Sequence, residues 1–127
     1  MAKIEILIVD DSPAFNHLTK LALQRSGLDC QIIDVSNGQR AIQYLADAEK
    51  YPDMILLDIN MPVMDGFEFL EEYAKMKCAG TSIVYMLTSS SQDIDKLRAK
   101  AFGVVKDYFE KPLGVDSLAK IISDLGK

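Results

Sequence analysis

The sequence predicts an α/β fold, a doubly wound five-stranded parallel sheet of order 2-1-3-4-5 with five helices. Three observations carry that prediction. Short apolar runs alternate with helical patterns from one end of the chain to the other. The runs ending at Val9, Leu57 and Leu87 are continuously apolar, as strands covered on both faces are. The runs Gln31–Val35 and Tyr108–Glu110 carry polar residues and suit the edges. With right-handed crossovers, the order 2-1-3-4-5 then fits, with its switch point between the first and third strands.

Each element has its own signal. Ile6-Leu7-Ile8-Val9 is long enough for a strand and too short for a helix. Ser12-Pro13 opens a helix, with Pro at a first position where its missing N–H costs nothing. Phe15, Leu18 and Ala22 recur at helical spacing until Ser26-Gly27 stops the pattern. Gln31–Val35 is the second strand, and a helix follows from about Asn37 to Ala48 with Ile42 and Leu45 inside. Pro52 closes that segment before the third strand, Met54–Leu57. Asp65-Gly66 reads as a turn, and the next helix carries Phe67, Leu70 and Ala74. Ile83–Leu87 is the fourth strand. The helix after it opens near Ser90, with Asp93 and Asp95 early and Lys96, Arg98 and Lys100 late, a charge order that suits the helix dipole. Tyr108–Glu110 is the fifth strand, and Leu118, Ile121, Ile122 and Leu125 stripe the last helix.

The 127 residues amount to one domain, expected to span 1–127, and 49% apolar with 26% charged residues is a globular composition. No apolar run approaches the ~18 residues of a membrane span. MAKIEILIVDD has one basic residue, no small-residue cleavage site and an acidic pair where an apolar stretch should continue, so it does not read as a signal peptide. Cys30 and Cys78 are too few and too far apart for a disulfide framework or a metal knuckle, so a cytoplasmic chain with free thiols is expected. A net charge of −5 and a pI near 4.8 argue against nucleic-acid and anionic-membrane partners, which need clustered Lys and Arg.

Ligands of open α/β sheets bind beyond the carboxyl ends of the strands, at the switch point. Asp10 and Asp11 end the first strand, Asp58 the third and Thr88 the fourth, and Lys111 follows the fifth. Three carboxylates in one crevice repel, and a cation relieves them. With oxygen ligands and neither His nor Cys at hand, that cation is Mg²⁺, or else Mn²⁺. A carboxylate beside such an ion and an ammonium is equipped to accept a phosphoryl group.

Val9-Asp10-Asp11, the stretch Leu57-Asp58-Ile59-Asn60-Met61-Pro62-Val63-Met64-Asp65-Gly66, Leu87-Thr88-Ser89 and Glu110-Lys111-Pro112 together resemble the receiver domain of two-component response regulators. The resemblance covers essentially the whole chain. Four weak motifs in the right order, each at a strand end, make it specific. It also carries part of the strand order, since the chemotaxis response regulator is a standing example of this flavodoxin-like arrangement. It implies that Asp58 is the phosphoacceptor. Asp11 would coordinate Mg²⁺ directly, Asp10 largely through water, and Asn60 through its backbone carbonyl. Lys111 would pair with the phosphoryl group and Thr88 hydrogen-bond to it. The Lys111-Pro112 bond would be cis, and Ser89 small enough to admit the phosphodonor. Tyr108 falls at the switch-aromatic position, turning inward as Thr88 moves.

Taken singly, these residues have plainer readings. Asp11 and Ser12 could cap a helix, Asp58 could sit in a turn, and Thr88 and the serines after it could cap the next helix. Lys111-Pro112 could be an exposed turn and Tyr108 an edge packing residue. Their shared crevice favours the functional reading. His17 reads as a surface residue, the Met residues as core filler, and Glu71-Glu72 as a solvated face. A flavin-binding module would need a Gly-rich loop where Asp10-Asp11-Ser12-Pro13 stands. An aspartyl phosphatase would need a D-x-D pair, and an interacting pseudo-receiver would not need the complete acidic pocket.

The expectation is therefore a single-domain response regulator, with only Gly126 and Lys127 after the last stripe and no output domain. It would not be an enzyme beyond its own phosphorylation and dephosphorylation. Its partners would be a sensor histidine kinase or histidine phosphotransfer protein and a downstream protein target. Phe102, Val104, Val105 and Tyr108 would offer surface for a weak homodimer.

Overall fold

The computed structural model describes residues 3–126; Met1, Ala2 and Lys127, which figured in the readings of the two chain ends, lie outside it. Five strands, β1 (Ile4–Val9), β2 (Cys30–Val35), β3 (Met54–Leu57), β4 (Ile83–Thr88) and β5 (Val105–Glu110), alternate with five helices. The helices are α1 (Pro13–Arg25), α2 (Gly38–Asp47), α3 (Gly66–Tyr73), α4 (Asp93–Lys100) and α5 (Val115–Asp124). All strand pairs are parallel, in the order β2-β1-β3-β4-β5. The predicted architecture is the observed one.

Period-two alternation divides the core between the two faces of the sheet. Leu7, Val9, Ile55, Leu57, Val84 and Met86 point to one face, where Ala41 and Leu45 of α2, Phe69 and Leu70 of α3 and Ala99 of α4 cover them. Ile6, Ile8, Met54, Leu56, Tyr85 and Leu87 point to the other, under Leu23 of α1 and Ile121 of α5. The three central strands are thus buried on both sides, which is why their sequences show no alternation.

Several local features differ from the sequence reading. The buried face of α1 is Asn16, Thr19 and Leu23, while the predicted Leu18 is 54% exposed. The cause lies at the strand end: the carbonyl of Asp10 needs a donor, the Asn16 side-chain amide supplies it at 3.1 Å, and the helix is rotated accordingly. Asp65-Gly66 is a helix start and not a turn. Asp65 caps α3, its carboxylate accepting the Glu68 N–H at 2.8 Å while Glu68 accepts the Asp65 N–H at 3.0 Å. Ala74 is the exposed cap residue ending α3, and Tyr73 takes the buried place. Finally, α4 begins at Asp93 because the Ser90 hydroxyl donates to Asp95 at 2.6 Å and accepts from Gln92 N–H at 3.3 Å, holding that stretch as a loop. β1 and β5 run two and three residues longer at their starts than the apolar runs suggested, Ile4 and Val105 replacing Ile6 and Tyr108 as first residues.

The β3–α3 loop holds the most constrained backbone. Gly66 packs so closely on the Asp58 carbonyl that no Cβ fits there. Val63 has φ of 70°, and the Met64 N–H donates to the Pro62 carbonyl at 2.7 Å around it, a γ-turn of the strained hand. A β-branched residue is poorly suited to that conformation, and its side chain is 74% exposed, so little packing offsets the strain. Val63→Asn is therefore expected to raise the unfolding free energy by about 1 kcal/mol in a urea titration. A loss of stability would show that the exposed valine makes a compensating contact.

Candidate functional site

Parallel pairing brings the carboxyl ends of β1, β3, β4 and β5 to one edge of the sheet, and the residues just beyond them converge. Asp10 and Asp58 are buried there, and Asp11 beside them is exposed. One carboxylate oxygen from each of the three lies within 4.8 Å of the others. Lys111 enters from the end of β5, its N–H bonded to the Thr88 carbonyl at 2.8 Å, and the Lys111–Pro112 bond is cis. Its side chain, 5% exposed, places Nζ 2.5 Å from Asp10 Oδ2 and 3.2 Å from Asp58 Oδ2. The remaining oxygens are also engaged. Asp10 Oδ1 accepts the Ser12 N–H at 2.9 Å, and Asp58 Oδ1 accepts the Ile59 N–H at 2.8 Å.

One ammonium therefore pairs with two carboxylates, and a third stands beside them. Burial pushes the Asp10 carboxyl above its ordinary pKa, while Lys111 and the Ser12 N–H pull it back and the Asp58 charge adds to the rise. The donor set is all oxygen, partly buried and two positive charges short of balance. It fits a hard divalent cation and does not fit a soft one.

Thr88 is fully buried at the end of β4, and its hydroxyl accepts the Ser90 N–H at 3.4 Å. The Tyr108 hydroxyl donates to the Ser90 carbonyl at 2.9 Å, and burial raises that hydroxyl's pKa. Ser90 thus links Thr88 to Tyr108 through its own peptide groups. Asn60 and Ser89 are exposed near the strand ends, and His17 is exposed on α1.

Two neighbours escaped the sequence reading. The Phe15 ring centroid lies 4.3 Å from Lys111 Nζ, although helical spacing assigned Phe15 to core packing. Asp95 holds Ser90, a contact that depends on where α4 starts. The apolar surface expected around Phe102, Val104, Val105 and Tyr108 is partly used against the core. On that side the exposed apolar residues are instead Ile94 and Leu97 of α4, at 65% and 66%.

Asp11 adds a third negative charge with no cation of its own among the described residues. Asp11→Asn is accordingly expected to raise the thermal midpoint in EDTA-containing buffer by a few degrees, and by less as salt is added. A lowered midpoint would mean that the carboxylate cluster does not strain the fold.

Residues 6–123 match the family model of the response regulator receiver domain. Protein PilH of Pseudomonas aeruginosa is 35% identical over 118 residues, covering 93% of each chain. Several other curated relatives are longer, and the chain spans less than half of their length. The two-component response regulator of Cytophaga hutchinsonii superposes with a TM-score of 0.88 at 29% identity, over 99% of this chain and 100% of that one. The Mn²⁺-bound response regulator Rcp1 superposes with 0.77 at 28% identity, over 96% and 91%. With its sheet order, its acidic crevice and its sequence all in agreement, the chain belongs to the response regulator receiver domain family.

Proposed function

We propose that this protein is a single-domain response regulator that accepts a phosphoryl group on Asp58 from a phosphohistidine and uses it to reshape a protein-binding face. The observation that carries the reading is Lys111, nearly enclosed and held between the Asp10 and Asp58 carboxylates beside Asp11. A lysine buried between carboxylates at a switch point is costly for the fold alone, and it stands where an incoming phosphoryl oxygen needs a partner. The single-domain reading is supported by a match over nearly all of PilH.

In this account an Asp58 carboxylate oxygen attacks phosphorus. The new O–P bond forms as the P–N bond to the donor imidazole breaks, and the imidazole leaves with the bonding pair. Asp11, Asp58 and the Asn60 carbonyl would hold Mg²⁺ or Mn²⁺, with Asp10 acting largely through water. That ion supplies neutralisation of the phosphoryl oxygens. The Mn²⁺-bound Rcp1 is a precedent for such a metal in a similar chain. Lys111 shifts its weight from Asp10 to the phosphoryl group. The Thr88 hydroxyl turns to donate to a phosphoryl oxygen and gives up the Ser90 N–H. Because the Ser90 carbonyl holds Tyr108, that release biases the two arrangements of the β4–α4 loop and of the face made by α4, β5 and α5.

The partners are then a sensor histidine kinase or phosphotransfer protein and a downstream protein target, in the cytoplasm. A weak homodimer would use Ile94 and Leu97 of the same face. The protein handles its own phosphoryl group and turns over no other substrate.

Intact mass after incubation with acetyl phosphate and Mg²⁺ tests this directly. The wild type is expected to gain one phosphoryl adduct that EDTA prevents, and Asp58→Asn to gain none. No adduct on a wild type shown to bind Mg²⁺ would overturn the reading. Asn60 is exposed and the Ser90 hydroxyl is tied to Asp95, so neither blocks water. The adduct is expected to last minutes in a phosphate-release assay, and a half-life of days would contradict open access of water to Asp58.

A further inference from the structure

The Phe15 ring stands under the Lys111 ammonium, which also holds Asp10 and Asp58. We propose that Phe15 is a positioning residue for Lys111, its ring holding the ammonium over the gap between Asp10 and Asp58. The inference rests on the function proposed above and assigns part of it to a residue outside the acidic cluster.

The placement of the ring follows from the local sequence. Pro13 sets the first backbone angle of α1, and the Ser12 hydroxyl accepts the Phe15 N–H at 3.3 Å. The first turn is thereby anchored on the same residue whose N–H binds Asp10. Phe15 itself is half-buried, so its ring is a wall of the crevice and not part of the core.

Lys111 is an ammonium with three N–H donors on a flexible stem. Nζ lies 2.5 and 3.2 Å from the two carboxylates and over the Phe15 ring, 4.3 Å from its centroid. A ring face attracts a cation through its quadrupole, and it does so more strongly where water is excluded. It cannot accept the full charge as a carboxylate would, so it restrains the ammonium without neutralising it. Lys111 can then slide from Asp10 toward a phosphoryl oxygen on Asp58 while remaining on the ring. An aliphatic side chain of similar size would fill the space and lose that restraint.

The test compares wild type with Phe15→Leu, Phe15→Met and Phe15→Tyr, using two readouts. In unphosphorylated protein labelled with ¹³C-lysine, the Lys111 ε-methylene protons are expected to resonate upfield of the other lysines. That displacement should vanish in the Leu and Met variants and persist in the Tyr variant. With acetyl phosphate and Mg²⁺, the Leu and Met variants are expected to phosphorylate about three- to tenfold more slowly and Tyr to restore the rate. An ordinary Lys111 shift in the wild type overturns the proposal. So does a Leu or Met variant that is phosphorylated at the wild-type rate, or a Tyr variant as slow as Leu. A wild type that takes no phosphoryl group overturns the proposed function instead, and the lysine shift still decides whether the ring holds the ammonium.

Discussion

The ion pair that Lys111 makes with Asp10 and Asp58 is the interaction on which the rest of the site depends. Three carboxylates approach within 4.8 Å at the end of a parallel sheet, and one ammonium, 5% exposed, stands among them. Removing a lone partner from such a group leaves buried charge uncompensated, which is strongly destabilising, whereas the intact group contributes little to stability. The arrangement is thus better explained by what it does than by what it holds together. Under the proposed function it keeps an acidic crevice ready for a cation and an anionic ligand, with the Lys111 ammonium already inside.

The fold supplies the conditions for that group. Parallel pairing aligns the ends of β1, β3 and β4, and the double cover of helices keeps their bases dry. The loops then aim the side chains. Gly66 lies against the Asp58 carbonyl and its N–H donates to the Ile59 carbonyl, tying the start of α3 to the site. Asn16 reaches from α1 to the Asp10 carbonyl and, at 3.3 Å, to the Asp34 carboxylate, joining the ends of β1 and β2. The same Asp34 takes Lys20 at 2.7 Å, which holds its carboxyl below the usual pKa. Local charge is therefore distributed across two strand ends, Lys20 pairing with Asp34 and Lys111 with Asp10 and Asp58.

Most of this was legible in the sequence, for identifiable reasons. Continuously apolar strands at Val9, Leu57 and Leu87 and polar ones at the edges, together with the family resemblance, gave the order, and strand ends brought Asp10, Asp11, Asp58, Thr88 and Lys111 together. Periodicity failed where a polar partner decided the rotation, as Asn16 did for α1, or where one dipeptide signals two structures, as Asp65-Gly66 does. It also could not show contacts between elements distant in sequence. Phe15 meets Lys111 across 96 positions, and nothing local to either residue announces the pairing. Ser90 and Asp95 are close in sequence, but their bond required knowing that α4 starts at Asp93.

In the proposed switch Lys111 rests on Asp10 before phosphorylation and moves to the phosphoryl group of Asp58 after it. A crystal structure of the protein with Mg²⁺ and beryllofluoride, a phosphoryl mimic, tests it most directly. A fluoride on Asp58 is expected within hydrogen-bond distance of both Lys111 Nζ and the Thr88 hydroxyl, with Lys111 moved away from Asp10. A beryllofluoride complex in which Lys111 still holds Asp10 and Thr88 still accepts from Ser90 would contradict it.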